Sequence, residues 1–325
     1  MKLLTFRHET GPRTGAVTSD GQVLDLIAAT PEDKAGLVAT MLDIIENEAA
    51  ALDLIQSLLD ADDGQHLRAM DEIAFMAPLP VPNSIRDFAN FELHCLQALE
   101  ASMRLRASMT PDPEAAYQSF KASGAYNLPP SWYERPYYFK GNRMTCSGHD
   151  SEILWPSFTK TMDYEVEVAA IIGKGGTNIA LEDASDAIFG YTIYNDFSAR
   201  DEQTRDQEFR MGPSKGKDFN TGNAMGPWIV TRDEVSDPYN AVMTSRINGA
   251  TQGVGKLGDM QHRFEACIAF ISRDETLYAG DVLGSGTMGN GCGFETGQYL
   301  QAGDVIELEV QGIGVLRNRI GSPRS

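Results

Sequence analysis

Asp163-Tyr164-Glu165-Val166-Glu167-Val168-Ala169-Ala170-Ile171-Ile172-Gly173 alternates in polarity and then runs apolar to a glycine. In a strand, alternation puts Tyr164, Val166 and Val168 on one side and Glu165 and Glu167 on the other. The apolar run that follows marks the strand as interior, where an unpaired carboxylate pair would repel and take up protons. A divalent cation resolves that conflict. All-oxygen ligation favours Mg²⁺, Mn²⁺ or Ca²⁺ over zinc. Glu-x-Glu is also common on solvated strands, so the pair needs company elsewhere in the chain.

Downstream, AIFGYTIYND, PWIVT, VMTSRING and DVIELEVQGIGVLRN are short apolar alternations between Gly-rich turns, which predicts a mostly β region. Ile193-Tyr194-Asn195-Asp196 ends one of these strands and leads into a polar, helix-like segment, with Asp196 at the junction. An N-cap is the local alternative for that residue. Upstream, the pattern from Asp87 to about Met109 predicts a helix. If it is helical throughout, Asp87 and His94 stand two turns apart on one face, so one could bind metal while the other handles protons. TPDPEAAYQSFKASGAYNLPP, residues 110–130, is polar and punctuated by Pro and Gly, which predicts a long loop able to act as a lid.

The N-terminal part predicts a strand at LLTF and a hairpin turned at Ser19-Asp20-Gly21-Gln22. Thr30-Pro31-Glu32-Asp33 predicts a helix start, with Leu37, Val38, Met41, Leu42 and Ile45 at helical spacing, and Leu52, Ile55, Leu58 and Leu59 after them. Three prolines in residues 77–84 suggest a boundary. The expected division is a small N-terminal α+β domain over 1–80 and a larger domain over 81–325, with a lid segment at about 88–130.

The 325-residue chain has 27 Lys plus Arg against 46 Asp plus Glu, a formal charge of −19, and 42% apolar residues. That composition is globular, and its acidity argues against nucleic acid or an anionic membrane surface as a partner. Residues 1–80 alone hold 5 basic and 14 acidic side chains. No apolar run approaches the roughly 18 residues of a membrane span, and MKLLTFRHETGPR has no signal-peptide core. The expectation is a cytoplasmic protein. Cys95, Cys146, Cys267 and Cys292 are scattered and form no CxxC, which predicts reduced thiols.

Taken together, these motifs resemble the fumarylacetoacetate hydrolase superfamily over residues 84–323. DFxxxxxH is similar to the segment in which fumarylacetoacetase places a metal-binding Asp and a general-base His, here Asp87 and His94. Glu165 and Glu167 match the family's ExE, and Asp196 the metal ligand of its NDxSARD. Arg200 and Gln203 fall where the family keeps Arg and Gln beside the substrate. Lys217 matches the Lys of GKxFxT, Thr221 its Thr near the metal, and Thr287 the Thr of the substrate-contacting SGT loop. The resemblance implies an α+β, mainly β fold, with a C-terminal mixed β-sandwich or roll and a homodimeric assembly. The chain departs from fumarylacetoacetase at Ala89, where that enzyme has a substrate-contacting Tyr. It also departs from the branch with an HxxE pair, because Gln97 follows His94 at that spacing. The carboxylate orienting His94 must then come from elsewhere, with Glu295 in GCGFETG the candidate and Glu92 a rival.

On this reading Asp87, Glu165, Glu167 and Asp196 would hold Mg²⁺, or Mn²⁺ or Ca²⁺, as a Lewis acid toward a small anionic 1,3-diketone or acylpyruvate-like substrate. His94 would activate water for hydrolysis of a carbon–carbon bond. Arg200, Gln203 and Lys217 would surround the developing oxyanion, where preorganised donors are worth about 3 kcal/mol each. The alternatives are a hydratase, isomerase or decarboxylase of a 2-oxo acid on the same metal site, or an inactive homologue that only binds metal or ligand. Surface ion pairing is the plainer reading of Arg200 and Lys217, given Asp201, Asp206 and Asp218 nearby. Gly284-Ser285-Gly286-Thr287-Met288-Gly289 satisfies GxGxxG, but the glycines at 291, 293 and 297 argue against a following helix, so a tight turn is expected instead of a dinucleotide site.

Overall fold

The computed structural model describes residues 1–61, 64–124, 126–208 and 212–323. Strands β1 (Lys2–His8), β2 (Gly11–Val17) and β3 (Val23–Asp25) form an antiparallel meander, with Ser19–Gln22 turning between β2 and β3. Asp25 caps α1 (Leu26–Ala29) by accepting from Ala28 N at 3.2 Å. The helix predicted to start at Thr30-Pro31 is only a 3₁₀ turn over Glu32–Leu37, and the Thr30 side chain does not cap it. Thr40 breaks the apolar series instead: it is extended and accepts from Asp43 N, which starts α2 (Met41–Glu46) ahead of α3 (Glu48–Asp60).

After β4 (Leu67–Arg68) comes β5 (Ser84–Phe88), and the helix predicted from Asp87 begins only at Glu92, as α4 (Glu92–Ser108). Asp87 pairs with Gly284 on one side and Phe139 on the other, and two flanking ladders outweigh a helical pattern. The 110–130 stretch, apart from Ala125, which lies outside the described residues, is not a plain loop. It holds α5 (Pro113–Ser123), begun by Asp112 accepting from Ala115 N at 3.1 Å and ended by Gly124 at φ 67°, then a turn into α6 (Pro130–Glu134).

The chain continues through β6 (Tyr138–Gly141), β7 (Cys146–Ser147), β8 (Glu152–Trp155), β9 (Met162–Asp163), β10 (Val166–Ile172), β11 (Ile188–Asp196), β12 (Ser198–Ala199), α7 (Arg200–Glu208) and β13 (Asn223–Thr231). It ends with β14 (Val242–Ile247), β15 (Ala250–Lys256), α8 (Phe264–Ile271), β16 (Asp281–Gly284), α9 (Gly293–Thr296), β17 (Val305–Val310) and β18 (Gly314–Pro323). The architecture is mixed α+β and mostly β. The eleven-stranded main sheet runs β4-β3-β2-β1-β13-β11-β10-β16-β5-β6, with β7 against β13; a five-stranded sheet runs β15-β14-β17-β18-β8. Strands from the first 80 residues extend the main sheet through the β1–β13 pairing.

β10 is buried along its whole length and its two faces feed different cores. Val166, Val168, Ala170 and Ile172 pack toward the five-stranded sheet and α8, with Met243, Leu308 and Ile268. Ala169 and Ile171 pack toward α2 and α3, with Ile85, Tyr194, Ile44 and Ile55. Each fully buried Val or Ile contributes about 1.5–3 kcal/mol, so this register is strongly enforced. All four cysteines are free thiols, and no described helix is long and apolar enough to cross a membrane.

Candidate metal centre and active site

The alternation that sorts the cores also builds the site. Glu165 and Glu167 share a face with Ala169 and Ile171; Asp87 shares it with Ile85 on β5, and Asp196 with Tyr194 on β11. The four acids prolong one apolar stripe at the strand ends, all buried, with ligand oxygens within 4.8 Å of one another. β16 lies between β10 and β5, and at its end Gly284 leaves the gap through which Asp87 and Glu167 meet. A Cβ there would lie 2.5 Å from Asp87 Oδ1 and 2.9 Å from Glu167 Oε2.

The acids are not equivalent. Burial pushes Glu167 well above the ordinary carboxylate range, and repulsion from Asp87 adds to this. Burial also raises Asp87, and it raises Asp196 well above its usual value despite the attraction of Lys217. Glu165 is desolvated too, yet Lys217 and then Arg200 hold it well below the usual range. Asp87 Oδ1 and Asp196 Oδ1 are buried without a hydrogen-bond donor. Four converging carboxylates, two of them with a buried oxygen that has no donor, fit a hard divalent cation.

Lys217 Nζ donates to Glu165 Oε2 at 2.6 Å and to Asp196 Oδ2 at 2.5 Å, over the Phe139 ring. Arg200 donates from Nε to Asp163 Oδ2 at 2.7 Å and from Nη1 to Gln203 Oε1 at 2.8 Å, and its Nη2 pairs with Glu165 Oε1 at 2.7 Å. Neither cation is a surface pair, since both are about 95% buried. Thr287 Oγ1 donates to Glu167 Oε1 at 3.3 Å and Gly286 N to Oε2 at 3.1 Å. Gly286 has φ 81°, and a Cβ there would lie 2.0 Å from Phe88 O, so the GxGxxG glycines serve close backbone approach. A helix does follow that loop, contrary to expectation, but α9 is a single turn.

His94, on α4, is brought to the carboxylates by the break at residues 89–91 that separates strand from helix. Its Nδ1 meets Glu295 Oε1 at 2.8 Å. The Glu295 side chain is fully buried and its Oε2 accepts from Cys292 N at 3.1 Å. Glu92 instead accepts from the Tyr133 hydroxyl at 2.5 Å. Gln97, in the place of the HxxE carboxylate, clamps Asn290 in the Thr287 loop through two hydrogen bonds. Thr221 is not bonded to the four acids among the described residues: it sits at φ 68° and its Oγ1 accepts from Leu154 N at 2.9 Å.

Two cavity lobes meet at Ala89, His94, Glu165 and Gln203. One, of about 500 Å³, exposes Asp87, Glu167, Lys217 and Thr287; the other, of about 450 Å³, runs outward between α4 and α7 past Leu99, Ser102 and Thr204. Tyr137 lines the first lobe opposite Ala89, to whose N–H its carbonyl is bonded at 2.9 Å. The sequence reading missed Asp163. Its signal was its place at the head of the decisive strand, two residues before Glu165.

A family profile described as "Fumarylacetoacetate (FAA) hydrolase C-terminal" matches residues 112–321. "Oxaloacetate tautomerase fahd2, mitochondrial" of Xenopus laevis is 31% identical, over 98% of this chain and 90% of that one. "Oxaloacetate tautomerase YisK" of Bacillus subtilis (strain 168) is 38% identical over 190 residues, a match that covers 58% of this chain and 62% of that protein's length. Among solved structures, the fumarylacetoacetate hydrolase EaFAH from Exiguobacterium antarcticum superposes with a TM-score of 0.73 at 25% identity, covering 99% of each chain.

Proposed function

Because this chain belongs to the fumarylacetoacetate hydrolase family, we propose that it is a divalent-metal-dependent enzyme that interconverts the keto and enol forms of a small anionic 2-oxo acid of the oxaloacetate type. The observation that carries this reading is the His94–Glu295 pair beside four converging carboxylates. Glu295 accepts the Nδ1 proton and fixes the tautomer, leaving Nε2 as the basic nitrogen available to a bound molecule. Moving a proton to and from the carbon next to a 2-oxo group needs such a base and no covalent nucleophile. Among the described residues, the thiol on the cavity wall, Cys95, suits that chemistry poorly as a nucleophile, since burial pushes it up to about 12.

Asp87, Glu165, Glu167 and Asp196 would hold the cation, which would supply Lewis-acid polarisation to a bound 2-oxo acid. His94 takes the proton from the adjacent carbon and returns it, and Glu295 stabilises the imidazolium between the two events. Gln203 spends its Oε1 on Arg200, which leaves its amide N–H groups to donate into the cavity. Lys217 stays protonated, because the attraction of Asp196 and Glu165 overcomes its burial and raises it. Its single positive charge offsets one of the two negative charges on Glu165 and Asp196.

The same base facing a water would hydrolyse an acylpyruvate, and the products separate the two readings. Oxaloacetate, acylpyruvates and 2-hydroxy-2,4-dienoates are followed by enol ultraviolet absorbance with and without Mg²⁺ or Mn²⁺. Metal-dependent enol–keto equilibration of oxaloacetate without pyruvate release is expected. Cleavage of acylpyruvates in its place would assign a hydrolase, and inertness toward all of them would leave only a binding homologue. His94→Ala should lower turnover by about 10²–10⁴-fold, the usual share of a general base, with Mn²⁺ affinity nearly intact.

A further inference from the structure

Asp163 lies outside the set of acids that converge on the cation, and it is fully buried. Its two oxygens accept four hydrogen bonds: Oδ1 from Tyr164 N at 2.9 Å and Gly293 N at 2.7 Å, Oδ2 from Arg200 Nε at 2.7 Å and Phe294 N at 2.9 Å. Two of these come from the first residues of α9, the turn that carries Glu295. A third comes from Arg200, whose other nitrogens hold Gln203 and Glu165. The fourth fixes the carboxylate to the strand that leads into Glu165 and Glu167. Gly293 permits the approach, since a Cβ there would lie 2.6 Å from Asp163 Oδ1 and 2.3 Å from Gln298 O. The β9–β12 pairing sets Ser198 opposite Asp163, two residues before Arg200, so the backbone enforces the same register.

We propose that Asp163 is a positioning residue that holds Arg200 and the Glu295-bearing turn as one unit and thereby sets His94 against the metal centre. This rests on the tautomerase reading only for its kinetic consequences. In Asp163→Asn one acceptor oxygen becomes an amide that faces Arg200 Nε and Phe294 N, so three donors meet without an acceptor. Arg200 and α9 must then part, and Glu295 moves off His94.

The test begins without substrate. In protein labelled with ¹⁵N-histidine, which has five such residues, the His94 ring is identified by the signal lost in His94→Gln. The wild-type ring nitrogens should show one fixed tautomer protonated at Nδ1, and Asp163→Asn should mix the tautomers as Glu295→Gln does. In turnover, a displacement on the order of 1 Å predicts a kcat lower by about 100-fold with KM changed less than about threefold. Asp163→Asn combined with Glu295→Gln should lose less than the product of the two single losses. Gly293→Ala, which forces α9 off an intact carboxylate, should give the same mixed tautomers. A folded Asp163→Asn with the wild-type tautomer, or with losses that multiply cleanly, overturns the proposal. Failure of both Asp163→Asn and Gly293→Ala to fold would make Asp163 a determinant of the fold and also overturn it. If the wild type equilibrates no 2-oxo acid, the assigned reaction fails, while the ring-nitrogen signature still decides the role of Asp163.

Discussion

Glu165 and Glu167 stand two residues apart on one strand face and meet opposite electrostatic surroundings. Glu165 is bracketed by Lys217 and Arg200 and stays ionised, whereas Glu167 faces Asp87 and two backbone or hydroxyl donors and is pushed up by burial. The signs differ accordingly. Asp87, Glu167 and Asp196 keep protons in the fold at pH values where the unfolded chain has lost them. The native state then binds more protons than the unfolded one, and stability falls as pH rises from the ordinary carboxylate range through the raised values. Glu165 contributes stability above its ordinary value and loses it only in acid, as pH falls through its depressed one. A divalent cation requires ionised ligands and offsets their repulsion. The gain in Tm from saturating Mn²⁺ over EDTA-treated protein should therefore grow as pH rises above the ordinary carboxylate range, by roughly 1–2 °C for each kcal/mol of added coupling in a chain of this length. Calorimetry at a series of pH values checks this, and a gain flat with pH would mean that the acids bind the ion without giving up protons.

At the scale of elements, what the sequence disclosed follows from how local each signal is. β10 could be read because period-two alternation followed by an apolar run is written within seven residues, and the pairing of Glu165 with Glu167 comes with it. The local pattern predicts one helix for Asp87 and His94, yet pairing with β16 and β6 makes Asp87 part of a strand. The two residues still reach one cavity, by a strand end and a helix start in place of a shared helix face. Asp163 stayed hidden because its partners at 200, 293 and 294 are distant in sequence. β16 yields a prediction of its own. Gly284→Ala puts a methyl against Asp87 Oδ1 and Glu167 Oε2 in the middle of a paired sheet, where neither flanking strand can retreat. Overpacking of that kind costs about 1–3 kcal/mol, and here it also forces two ligand oxygens apart. Titration calorimetry should show Mn²⁺ affinity lowered by at least about tenfold, as displacement of supporting groups around a metal does, beside a modest drop in Tm. Unaltered affinity would mean that Asp87 and Glu167 do not share an ion across β16.

Across the whole molecule, a formal charge of −19 surrounds a site for which we propose an anionic substrate. The buried carboxylates Asp87, Asp163, Glu165, Glu167 and Asp196 outnumber the buried cations Arg200 and Lys217 around the cavity. Even with a divalent ion, the centre keeps a formal negative balance while its acids are ionised. Attraction for the substrate must then come from short-range contacts, and the long-range field opposes approach. Salt screens the second far more than the first: the Debye length falls from about 30 Å at 0.01 M to about 8 Å at 0.15 M. Raising NaCl over that range at saturating metal should therefore increase kcat/KM for a dianionic 2-oxo acid, by roughly two- to tenfold if the repulsion is at the lower end of what steering fields achieve. The change should appear in KM, with kcat nearly constant, because the buried interactions around His94 are screened little. A neutral ester of the same acid should lose most of the dependence. If kcat/KM for the dianion falls with salt, the field at the cavity mouth is positive despite the bulk charge, and an exposed cation at the rim must be guiding the substrate in.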